Sequence, residues 1–204
     1  MSFEVHAYLG IHQFDLDRRV LQRLAAHGYK IELPPGRSLR STSGDGTLWL
    51  AVLEIPPDFP RIERETAFFA GFGYEFFRRT SDSFSYAPRG VRKFEHVAYS
   101  RTSAGTPLGA RHFQHLIVAA LAAESNGWCV ADGDETGVSG VAAFDKVCAG
   151  IRAAGNELDC YAPRFKGWRD DGQPLDEADI ISPPERPRFA QVPARKKKWW
   201  RLWA

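Results

Sequence analysis

The sequence predicts an α+β fold: a largely antiparallel β-sheet packed with about three helices. Two observations carry this. Strand-like runs cluster in the first hundred residues, and two long helical periodicities follow Pro107. A third observation bounds the core: after Gly155 the chain is punctuated by Pro163, Gly167, Gly172, Pro174, Pro183, Pro184, Pro187 and Pro193. The expected organisation is one α+β domain over residues 1–160. An irregular Pro/Gly-rich segment over 161–194 packs on the body, and a basic Trp-rich tail occupies 195–204.

The elements follow in order. Phe3, Val5, Ala7 and Leu9 alternate with Glu4, His6 and Tyr8, the pattern of a half-buried strand. Asp15 is placed to cap a helix carrying Leu16, Val20, Leu21 and Leu24, which Gly28 stops. Tyr29 to Leu33 reads as a short strand and Pro34 to Gly46 as a loop. Thr47 to Ile55 is the most apolar strand run and is expected at the sheet centre; Pro56-Pro57 ends it. Arg61 to Ala70 reads as a short helix leading into an aromatic strand over Gly71 to Phe77. Phe84 to Ala87 and Lys93 to Ser100 add two strands, and Arg101 to Pro107 a loop.

The central unit is helix, strand, helix. Phe113, Leu116, Ile117, Ala120 and Leu121 share one helical stripe within Leu108 to Ser125. Asn126-Gly127 supplies the left-handed stop. Trp128 to Asp132 reads as a short buried strand. Ser139 caps a second helix, ending before Gly155, whose apolar face is Val141, Phe144, Val147, Cys148 and Ile151.

Composition narrows the function. The 204 residues are 44% hydrophobic and 25% charged, enough for a core without staples. Three cysteines, Cys129, Cys148 and Cys160, cannot all pair, and two lie at apolar positions, which points to a reducing, cytoplasmic setting. Arg outnumbers Lys by 20 to 7, a bias of GC-rich bacterial genomes. No signal peptide begins the chain, and no apolar run nears the ~18 residues of a membrane span. The net charge of +2 divides unevenly. Arg195, Lys196, Lys197, Lys198 and Arg201 supply five cations, leaving 22 basic against 25 acidic groups in the body. Residues 131 to 181 hold eleven acidic and five basic side chains, so a nucleic-acid-binding face is disfavoured.

No catalytic signature is complete. Asp132, Asp134 and Thr136 match the first positions of a calcium loop, but Ala143 stands where a bidentate Glu is required. An acidic turn before a helix is the simpler account. His112 and His115 lie three apart on the central helix, without the spacing or the Glu of a zincin helix. Together with Asp132, Asp134 and Glu135 they make the one enzyme-like alternative, a small hydrolase or metal-dependent enzyme. No cofactor and no metal is otherwise called for. Two surfaces are candidates for a protein partner: Phe72, Tyr74 and Phe76 in the aromatic run, and Asp132, Asp134 and Glu135 in the acidic turn. The tail joins Lys196, Lys197 and Lys198 to Trp199, Trp200 and Trp203, a combination suited to an anionic surface, so contact with the inner membrane is a further alternative.

The Ala-rich helix closing on Asn126-Gly127-Trp128, followed by Asp132, and the basic-Trp ending from Lys196 to Trp203 resemble the small cytoplasmic bacterial immunity proteins that neutralise polymorphic or type VI secreted toxins. The resemblance implies a non-catalytic protein that binds one partner and blocks it. No site residue transfers from it.

Overall fold

The computed structural model describes residues 2–10, 15–41, 46–59, 66–79, 89–103, 106, 108–131, 136–153 and 163–175. In chain order these form β1 (Ser2–Leu9), α1 (Leu16–Ala26), β2 (Lys30–Glu32), β3 (Thr47–Glu54), β4 (Phe68–Arg78), β5 (His96–Ser103), α2 (Leu108–Glu124), β6 (Trp128–Ala131), β7 (Val138–Ser139), α3 (Gly140–Ala153), β8 (Gly167–Trp168) and β9 (Pro174–Leu175). The first seven strands make one sheet in the order β2-β3-β4-β5-β1-β6-β7, and every pairing in it is antiparallel. This is the expected α+β architecture. β3 is flanked on both sides, but the middle of the sheet is β5.

Two helices end the same way. Gly28, at φ 82°, follows α1; its N–H donates to the Ala25 carbonyl and that of Tyr29 to the Leu24 carbonyl. After α2, Asn126 takes φ 52°, donating to Ala123 while Gly127 donates to Ala122. Both are Schellman closures. The N-termini differ. Ser139 Oγ accepts the Ala142 N–H at 3.4 Å, as expected of a cap. Asp15 makes no such bond, because its carboxylate takes the Arg18 guanidinium at 2.8 Å.

All three helices lie on one face of the sheet, over Val5, Ala7 and Leu9 of β1, Leu48, Leu50 and Val52 of β3, and Phe68, Ala70, Phe72 and Tyr74 of β4. α2 is buried on every side rather than along one stripe: Leu116 through Ala122 are all inaccessible. The alanines permit this by letting α3 approach. A Cβ built on Gly140 would lie 2.1 Å from the Ala122 backbone, so only glycine fits there. The same approach rotates Val141 outward, to 49% exposure, whereas Phe144, Val147, Cys148 and Ile151 are buried as their spacing predicts. On the other flank, Arg19 and Arg23 of α1 hold Glu124 at the end of α2, at 2.9 and 2.5 Å.

Two boundaries shift. Phe68 to Ala70, expected in a helix, begin β4, since Phe68 and Ala70 alternate inward with Phe72. Arg101 to Ser103, expected in a loop, extend β5, held by β1 across the register Glu4 to Arg101. The strand expected at Phe84 to Ala87 lies outside the described residues. Residues 163–175 add a hairpin, β8 with β9, beside the start of β4: the Phe69 N–H reaches the Pro163 carbonyl at 3.0 Å. Trp168 Nε1 donates to Glu32 at 2.8 Å. Among the described residues no helix is long and apolar enough to cross a membrane.

Candidate binding face

Strand alternation sorts every sheet residue to the helix side or the outer side. On the outer side a small apolar cluster forms from Tyr8, Val91, Phe94, Val97 and Val130, with Phe77 and Trp128 packed against it. It covers the row that runs Trp128, Tyr8, Val97, Phe77 across four strands. The next two rows run His6, Tyr99, Glu75 and Glu4, Arg101, Gly73, Thr47. These carry charge and partial exposure instead. The Arg101 side chain is 60% exposed and that of Glu4 is 36% exposed.

Tyr99 sits at the centre of these rows. Its ring meets the His6 ring edge-on at 5.0 Å. Glu4 lies 3.9 Å from the Arg101 guanidinium and 4.0 Å from His6 Nε2. Burial, then a hydrogen bond to Glu4, pushes the Tyr99 hydroxyl up to about 12. It is therefore a donor at neutral pH. The arrangement is an aromatic ring framed by two carboxylates, Glu4 and Glu75, and one guanidinium.

Beside the second row, past Thr47, Trp49 lies across Gly71 of the neighbouring strand. A Cβ at Gly71 would come within 2.1 Å of the indole, so the glycine makes room for it. Thr47 and Trp49 also line a cleft of about 220 Å³, closed by the loop from Pro34 to Ser41 and the turn Asp171 to Gln173.

The expected site residues fall differently. Phe72 and Tyr74, read as an aromatic surface, are core residues at 3% and 2% exposure. β4 alternates, and its inward positions meet the helices. The Tyr74 hydroxyl donates to the Leu39 carbonyl, and burial raises its pKa. Phe76 is half-buried, stacked on His96 at 5.9 Å. The outward positions of the same run are Phe69, Gly71, Gly73, Glu75 and Phe77, so the run does reach the surface through its other half. Asp132, Asp134 and Glu135 lie outside the described residues, as do Lys196, Lys197, Lys198, Trp199, Trp200 and Trp203.

His112 and His115 are both held neutral. Burial, then the neighbouring Arg111 charge, brings His112 to about 4. Burial, then His112 and Arg111, brings His115 to about 3. Among the described residues, no three His, Cys, Asp or Glu side chains gather as a metal site. Cys129 and Cys148 are buried thiols outside any disulfide, and burial pushes the Cys148 thiol up to about 11, which leaves little thiolate at neutral pH.

One buried polar cluster faces the sheet from α2. Gln114 accepts from Thr102 at 3.0 Å and donates to Ser100 Oγ at 3.1 Å and the Phe3 carbonyl at 3.3 Å. Ser100 in turn donates to the Val5 carbonyl at 3.1 Å. Each group is satisfied by the protein itself, so the cluster fixes α2 on the sheet rather than awaiting a ligand.

The Glu4, His6, Tyr99, Arg101 grouping is not marked by any motif in the sequence. The available signal was the polar half of two alternating strands. It became a site only once β1 and β5 were known to pair. Comparison with protein-family models, with curated proteins and with solved structures finds no match to this chain.

Proposed function

We propose that this protein is a non-catalytic binding module that engages one basic protein partner through the outer face of its sheet. The observation that carries this is the pair of half-open rows in which Tyr99 stands among Glu4, Glu75, His6 and Arg101. Tyr and Arg are the side chains that most often anchor interfaces, since each combines a flat apolar body with directed polar atoms. The two carboxylates against one guanidinium give the rows a negative excess that suits a cationic partner and speeds its encounter.

Neutralisation of a toxin in a bacterial cytoplasm is the specific form of this proposal. It accords with the resemblance to immunity proteins and with the two buried thiols outside any disulfide, Cys129 and Cys148. The test is capture by the full chain from the native host, run beside Glu75→Lys and Tyr99→Ala. The expected result is a stoichiometric basic protein held by the parent and lost from both variants, with bound affinity falling about tenfold or more. Capture of the same protein by all three, or of no basic protein, would discard the proposal.

A further inference from the structure

The cleft at the end of the sheet is lined by two charged side chains, Arg37 and Asp171, that are committed unequally. Ser38 Oγ accepts the Arg40 N–H at 3.1 Å, which leaves its own hydroxyl proton to donate. Among the described residues Asp171 is the one acidic side chain lining the cleft, and its Oδ1 is turned to the Gln173 N–H at 2.9 Å, closing a local turn. Arg37 is exposed at the rim and makes a single long contact, 3.4 Å, to the Asp171 carbonyl. Most of its five N–H donors are thus uncommitted. Trp49 lines the cleft, and its buried ring N–H has no hydrogen-bond partner among the described residues. Of the two charged side chains lining the cleft among the described residues, Asp171 is committed through Oδ1 to a backbone N–H, and the Arg37 guanidinium is largely uncommitted.

We infer that this cleft binds a carboxylate, received by Arg37 with Ser38 and the Trp49 indole as its neighbours. A guanidinium meets a carboxylate through two parallel hydrogen bonds, which no neutral acceptor reproduces. The volume, about 220 Å³, accommodates a small acid or one acidic side chain. It lies below the roughly 300 Å³ at which pockets for larger ligands begin. The shape is held from both sides: the Arg37 N–H closes a turn onto Pro34, and Gly172, at φ +82°, brings the facing turn against Pro34 and Arg37. The inference is independent of the partner proposed for the outer face, since that partner is basic and this ligand is acidic.

The test uses ¹⁵N-labelled full-length protein titrated with glutarate, with the neutral isostere glutaramide, and with a capped glutamate tripeptide. The Trp49 indole signal is identified by its loss in Trp49→Phe. Glutarate or the peptide should move that signal saturably while glutaramide leaves it in place. Arg37→Gln should weaken binding about tenfold, and Ser38→Ala should weaken it by less. Tighter binding of the peptide identifies a partner's side chain as the source; tighter binding of glutarate identifies a free acid. An unmoved signal with both, an equal response to glutaramide, or full binding by Arg37→Gln together with Ser38→Ala would overturn the inference.

Discussion

The two faces of the sheet are built on opposite terms. The helix face is closed. Its helices approach until Gly140 touches the backbone of α2, and even its polar residues, Gln114, Ser100 and Thr102, spend their hydrogen bonds on one another and on β1. The outer face is closed only along the row through Tyr8 and Val97 and leaves Glu4, Glu75 and Arg101 in contact with water. One face therefore stores most of the folding free energy, and the other is free to vary without loss of the fold. Groups that matter for binding belong on the second, because a change there can alter recognition at little structural cost.

The sharpest way to break this contrast is Gly140→Val. Any side chain here meets backbone rather than a flexible tip, so α3 must move away from α2. A loss of about 3 kcal/mol is expected, read as a lower denaturant midpoint. Unchanged stability would mean that the helices do not approach as closely as described.

Acid should probe the same face more gently. His112 and His115 carry folded pKa values of about 4 and about 3, against 6.5 for the free side chain. The unfolded chain takes up their protons first as pH falls. Their contribution is complete above pH 6.5 and is lost on descent towards about 4. Both side chains are partly accessible by surface area, so solvent screening reduces the effect. A loss of about 1–2 kcal/mol between pH 7 and pH 5 remains. Thermal melts across that range should show it, with a shallower slope in the double variant His112→Gln, His115→Gln.

The smallest effect is expected from the outer face. Glu75→Lys should change stability by less than about 0.5 kcal/mol, while removing partner capture. A large loss of stability in this variant would make the outer rows structural and erase the distinction between the faces.

The same contrast sets what could be read in advance. The helix face follows from period: the α2 residues Phe113, Leu116, Ile117, Ala120 and Leu121 announce their burial, and Asn126-Gly127 announces where the helix stops. Val141 departs from its expected burial because periodicity marks an apolar position without marking how near a neighbouring helix comes. The close approach at Gly140 turned it to solvent. Phe72 and Tyr74 were placed on the surface because an aromatic run shows no preferred side until a glycine pattern is recognised. Gly71 and Gly73 mark the outward positions, so the aromatics between them point inward. The polar rows of the outer face are illegible for a different reason: Glu4 and Arg101 lie far apart in the chain and meet only through strand pairing.

The strands at the two margins of the sheet have a consequence for how this molecule can associate. β2 spans three residues and β7 two, and Lys30 on the former is tied to Glu54 at 2.8 Å. A foreign strand laid along β2 or β7 itself would find only two or three main-chain groups to zip against, too few to hold it. Backbone templating, and the runaway stacking that follows from it, is thereby disfavoured along these two strands.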